Sequence, residues 1–90
     1  MEYTLILSNY DGTEQENKED YESDKEAIEE MTAFLKQDAK HFFDITGMKS
    51  IDNPDDKQVS YEIIREDDSE NGEGCIDNGV IEFDENNNPI

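Results

Sequence analysis

The only histidine, His41, lies between Lys40 and Phe42, with Asp38 and Asp44 three residues away on either side. As a general base it would need an oriented nucleophile or substrate, and as a zinc ligand it would need three partners. The plain reading is a surface histidine near a helix C-terminus, where a cation is favoured. The only cysteine, Cys75, has no partner for an internal disulfide and follows Gly74 in an acidic neighbourhood, a field that suppresses the reactive thiolate. Asp67-x-Ser69-x-Asn71-Gly72 matches the opening of a calcium loop, but Gly74 then stands where an apolar residue is expected and Asn78 where a bidentate Glu should close the loop. Specific calcium binding is therefore not expected, although loose association of divalent cations with the many carboxylates is. Carboxylate pairs are so abundant that no one pair points to glycoside hydrolysis, and there is no glycine-rich phosphate loop. The expectation is a non-enzyme with no catalytic residue, no metal site and no cofactor.

What the chain has in abundance is negative charge. Its 90 residues carry 26 Asp and Glu against 7 Lys and Arg, a formal net charge of -19, and Arg65 is the single arginine. Direct binding to DNA, RNA or an anionic membrane is excluded, because those partners are held by Lys and Arg. Leu, Ile, Val and Phe supply 18 residues, close to the level at which high charge predicts disorder, so folding must be judged from pattern. One domain is the most this length can hold. No apolar run approaches a membrane span, and the segment from Met1 to Leu7 has neither a basic region nor an apolar run long enough for a signal peptide. A cytoplasmic protein is expected. Lys outnumbers Arg six to one, which disfavours a salt-loving source, and the nine Ile, eight Asn and six Lys suit a low-GC bacterium, phage or plasmid.

The elements that must position these charges follow from periodicity. Tyr3, Leu5 and Leu7 alternate with Thr4 and Ile6, which predicts a strand over 3–10. Residues 11–22 have one apolar member, Tyr21, and read as a solvated loop opened by the Asp11-Gly12 turn, with a short strand around Tyr21 as the alternative. Ser23-Asp24-Lys25-Glu26 fits a capping box, and Ala27, Ile28, Met31, Leu35, Ala39 and Phe42 form one stripe of a helix running to about Phe43. Gly47 is the expected stop, followed by a short strand over Met48 to Ile51 and a turn at Asn53-Pro54-Asp55-Asp56. Gln58 to Arg65 alternates as a strand. Asp77-Asn78-Gly79 reads as a hairpin turn before a last strand at Val80, Ile81 and Phe83. The predicted fold is a small two-layer α+β domain over 1–85, ordered β-α-β-β-β, with an antiparallel-rich sheet and one amphipathic helix on one face. Residues 86–90 read as a flexible tail. The second sheet face is expected to be uncovered, with Ile6, Tyr10 and Ile64 on it.

The charge is unevenly placed. Residues 11–30 hold ten acids and two lysines, net -8, and residues 62–90 hold ten acids and one arginine, net -9. The middle, 31–61, has five acids and four lysines, net -1. An ordinary small domain stays soluble with a net charge magnitude of about 2 to 8, so this excess points to more than solubility. Alternate side chains on a strand stand about 6.6 to 6.8 Å apart, a pitch comparable with that of neighbouring backbone phosphates. Carboxylates held at that pitch suit the Lys and Arg of a groove built for nucleic acid.

In its size, its two acidic blocks and its composition the chain resembles the small acidic proteins of phages and mobile elements that mimic DNA. These include anti-CRISPR proteins, antirestriction proteins and inhibitors of uracil-DNA glycosylase. No residue is carried over from these families. The resemblance implies a non-catalytic inhibitor that occludes the basic channel of a host nucleic-acid-binding protein, a CRISPR effector or restriction enzyme, in the host cytoplasm. The partner-binding candidates are Glu62, Glu66, Asp67, Asp68, Glu70 and Glu73, with Asp20, Glu22, Glu26, Glu29 and Glu30 as a second block. The alternative is an acidic protein-binding module, such as an immunity protein neutralising a basic toxin, anchored by Tyr10, Tyr21 or Tyr61. Oligomeric state is left open.

Overall fold

A computed structural model describes residues 1–66 and 74–90. Four antiparallel strands form one open sheet in the order β2-β1-β3-β4: β1 is Glu2–Ser8, β2 Glu14–Asp20, β3 Gln58–Arg65 and β4 Cys75–Glu82. Two helices, α1 at Asp24–Thr32 and α2 at Leu35–Ile45, lie on one face, so the α+β class holds while the order becomes β-β-α-α-β-β. Among the described residues no helix is long and apolar enough to cross a membrane.

The core lies between the helices and one sheet face. Tyr3, Leu5 and Leu7 of β1, Val59 and Ile63 of β3, and Ile81 and Phe83 at the β4 end pack against Ala27, Met31, Leu35, Ala39, Phe42, Phe43 and Met48. Phe43 stacks on Phe83 with ring centroids 4.2 Å apart, tying α2 to the far edge of the sheet. Ser23 caps α1 by accepting from the Glu26 amide, but Glu26 makes no return bond to the Ser23 backbone among the described residues.

The single expected helix is broken at Ala33 and Phe34. The buried set Ala27, Met31, Leu35, Ala39 and Phe43 repeats every four residues, and four residues overrun a helical turn by about 40°. A straight helix would rotate Phe43 about 160° away from Ala27, and the break resets the phase. Phe34, with φ -119° and ψ 25°, carries the break and is left 68% exposed. Gly47 ends the second helix in the left-handed region at φ 72°, as expected.

Three other expectations are corrected. Residues 14–20 are not loop but the edge strand β2, which forms without an apolar residue because its pairing with β1 supplies the backbone bonds and the Asn9–Thr13 turn closes it. In that turn Asn9 accepts from the amides of Asp11 and Thr13, and Gly12 supplies a φ of 88°. Met48–Ser50 is a 3-10 turn in place of a strand. The Asn53 side chain accepts from the Asp55 amide, so the turn chemistry there is as expected. Asp77-Asn78-Gly79 is no turn but the middle of β4, paired to Tyr61, Glu62 and Ile63.

Gly79 has a packing reason. A Cβ placed there would fall 2.7 Å from the Tyr61 ring, which lies across it from the neighbouring strand. Gly79→Ala is expected to displace that ring and cost about 1–3 kcal/mol, read as a lowered urea midpoint. An unchanged midpoint would show that Tyr61 swings aside at no cost. The last residues, expected to be a tail, turn back on the sheet end: the Ile90 amide donates to the Glu82 carbonyl at 2.8 Å and Lys40 Nζ to the Asn87 carbonyl at 2.7 Å.

Candidate functional site: an uncovered acidic sheet face

Residues at even positions of β1, β2 and β3 point away from the helices. The register fixes the rows: Glu14, Ser8, Ser60 and Val80 in one; Glu16, Ile6, Glu62 and Asn78 in the next; Lys18, Thr4, Ile64 and Cys75 in the third. Asp20 and Glu2 stand opposite each other at one end, and Gln58 and Glu82 at the other. Ile6 and Ile64 lie on this face as expected, whereas Tyr10 sits in the β1–β2 turn.

The carboxylates form two rails, a pair on β2 and a single group on β3. Glu14 and Glu16 run along β2 at the alternate-residue spacing of about 6.6–6.8 Å. Glu62 on β3 is separated from them by the β1 strand, about 10 Å away at two strand spacings. Between the rails lie Ile6 and Ser8, the floor of a shallow depression of about 480 Å³. At the Asp20 end the charge is partly met: Lys18 Nζ is 4.0 Å from Glu2 and 3.7 Å from Glu66. Glu66 also accepts from the Thr4 hydroxyl. Among the described residues no ion pair involves Glu14, Glu16 or Glu62.

Of the residues singled out in the sequence, Asp20, Glu62 and Glu66 come together on or beside this face. Glu26, Glu29 and Glu30 lie on α1, in the helical layer on the other side of the sheet, and Glu22 lies in the connection between β2 and α1. Asp67, Asp68, Glu70 and Glu73, and the calcium-loop match with them, lie outside the described residues. Glu2, Glu14, Glu16 and Glu82 belong to the face without being among the partner-binding candidates, although the last three fall within the two acidic blocks. The usable signal is a strand followed by Asp-Gly, which is a hairpin cue even when the returning segment is wholly polar. His41 is exposed on α2, and Cys75 is an exposed thiol at the start of β4. Among the described residues no group of three or more His, Cys, Asp or Glu is placed to hold a metal.

The lone arginine does structural work. Arg65 Nη1 donates to Asp24 Oδ2 at 2.5 Å, and the buried Tyr3 hydroxyl donates to Asp24 Oδ1 at 2.7 Å. Asp24 thus clamps the start of α1 to β1 and β3. The Tyr3 hydroxyl, and after it the Arg65 guanidinium, hold the Asp24 carboxyl below its ordinary value of 3.8. A depressed carboxylate stabilises the fold above its unfolded value, and that contribution is lost as pH falls through the folded one. Asp24→Asn should cost about 1 kcal/mol at pH 7, a figure reduced because the side chain is 41% exposed. The gap to the parent should close as pH falls through the lowered folded value, measured by urea unfolding at pH 7 and in acid. A gap of equal size at both would show that charge on Asp24 is immaterial.

Fold and site together define a small α+β domain that presents one sheet face as a carboxylate array. Comparison with protein-family models, with curated proteins and with solved structures gives no match to this chain.

Proposed function

We propose that this protein is a non-catalytic inhibitor that mimics nucleic acid and occludes a basic DNA- or RNA-binding channel of a host defence enzyme, foremost a CRISPR effector. It would act in the bacterial cytoplasm on behalf of a phage or mobile element. The observation that carries the reading is the pair of carboxylate rails, fixed by sheet register and left uncovered by the helices. A hydrogen-bonded sheet holds its side-chain pitch without the entropy loss a loose acidic loop would incur on binding, so the array is organised before contact. Opposed fields would steer association and make it sensitive to salt.

The test is a cleavage assay with a purified CRISPR effector, and in parallel a restriction enzyme. Inhibition is expected to be stoichiometric, to weaken as salt rises, and to be prevented when the enzyme is first saturated with duplex DNA. Inhibition that DNA leaves intact, or no inhibition of either enzyme, would overturn the proposal.

A further inference from the structure

The opposite side of the sheet holds a second surface. Helix α1 packs over β3 and β4, and on edge strand β2 the inward-facing Asn17 and Glu19 remain exposed. A groove of about 300 Å³ lies between β2 and the junction of the two helices. Its floor is apolar, made by Leu5 and Met31. Tyr21 and Phe34 line it, and Phe34 is an aromatic ring left in solvent in a chain that has only four phenylalanines.

Carboxylates of Glu19, Glu30 and Asp38 rim the groove. The Tyr21 phenol responds to that setting: burial pushes it above its ordinary value of 10.0, and Glu19, Glu30 and Glu26 push it further. Two aromatic side chains beside an apolar floor, with carboxylate residues around them, suit one side chain better than any other. A guanidinium stacks on aromatic faces, forks to carboxylates and carries an aliphatic stem. Lys has the stem and the charge but neither the plane nor the fork.

We propose that this groove docks an arginine side chain presented by a basic partner protein. The inference does not rest on nucleic-acid mimicry, since the groove and the carboxylate rails lie on opposite sides of the sheet.

The probe is the blocked peptide acetyl-Gly-Arg-Gly-amide, titrated into the isotopically labelled protein and followed by NMR, with the Lys peptide in parallel. The Arg peptide should give saturable shifts at the Met31 methyl and at the Tyr21 and Phe34 rings, with the Lys peptide weaker. Phe34→Ala should weaken binding by about two- to fivefold, and Glu30→Gln with Asp38→Asn by a similar factor. Phe34→Leu, which keeps an apolar group of similar reach, guards against loss of fold and should fall like the alanine variant if stacking matters. Variants of Glu14, Glu16 and Glu62 should leave the titration unchanged whether or not the mimicry reading survives. Shifts spread evenly over both sides of the sheet, equal response to the Lys peptide, or undiminished binding by both Phe34 variants would overturn the proposal.

Discussion

Phe43→Ala is expected to leave the protein largely unfolded at room temperature. Phe43 is fully buried and stacks on Phe83, so the substitution removes both a core ring and the contact that joins α2 to the end of β4. Phe-to-Ala changes in cores cost about 3–5 kcal/mol. Domains of this size sit at the lower end of the usual stability range of about 5–15 kcal/mol. A net charge of -19 subtracts further through self-repulsion. Circular dichroism at low and high salt checks this: the variant should be poorly structured at low salt and partly recovered by salt, which screens the repulsion but cannot refill the cavity. A variant with the parent's urea midpoint would show that the two layers close without the ring.

If the proposed mimicry holds, the triple variant Glu14→Gln, Glu16→Gln and Glu62→Gln should associate with the proposed target enzyme at least tenfold more slowly, because focused fields raise association rates by about 10- to 1,000-fold. Its thermal midpoint should stay level or rise, since the substitutions relieve repulsion and break no ion pair. The matched control is Glu22→Gln, Glu26→Gln and Glu29→Gln, which removes the same formal charge from α1 and the segment leading into it. Stopped-flow association with both variants separates placement from total charge. Equal slowing would mean that net charge alone steers the encounter and that the sheet face is not the contact. No slowing by the first variant would remove the carboxylate rails from the mechanism.

The parts of the fold written in apolar periodicity are legible in the sequence. β3 spans Gln58–Arg65 as the alternation of Val59, Tyr61 and Ile63 indicates, Ser23 caps the first helix, and Gly47 stops the second. The parts held by pairing alone are not. β2 has no apolar residue to reveal it, yet it carries Glu14 and Glu16, so a loop assignment there conceals one of the two rails. Asp77-Asn78-Gly79 has the composition of a turn, but Gly79 is there because the Tyr61 ring lies over it, a cross-strand cause that no local window contains. The helix break is hard to see because a four-residue repeat and a three-four repeat differ only gradually, and the phase error accumulates over four turns. Phe34 is hidden for the same reason. It falls outside the helical stripe, and its exposure follows from the break.

The position of β1 between β2 and β3 also governs how the chain assembles. Strands β1 and β2 close over a short turn, and β3 and β4 pair with each other further along, but β1 meets β3 only after more than half of the sequence has been made compact. Local contacts form before distant ones because loop closure opposes the latter. The β1–β3 pairing is therefore expected to come last, joining two halves that each carry a surplus of carboxylates. The Asp24–Arg65–Tyr3 clamp spans that junction, so the chain's single arginine sits where two like-charged pieces must meet. The charge from which a cationic partner is proposed also makes the molecule's own closure an act against repulsion, and ionic strength is expected to act on both.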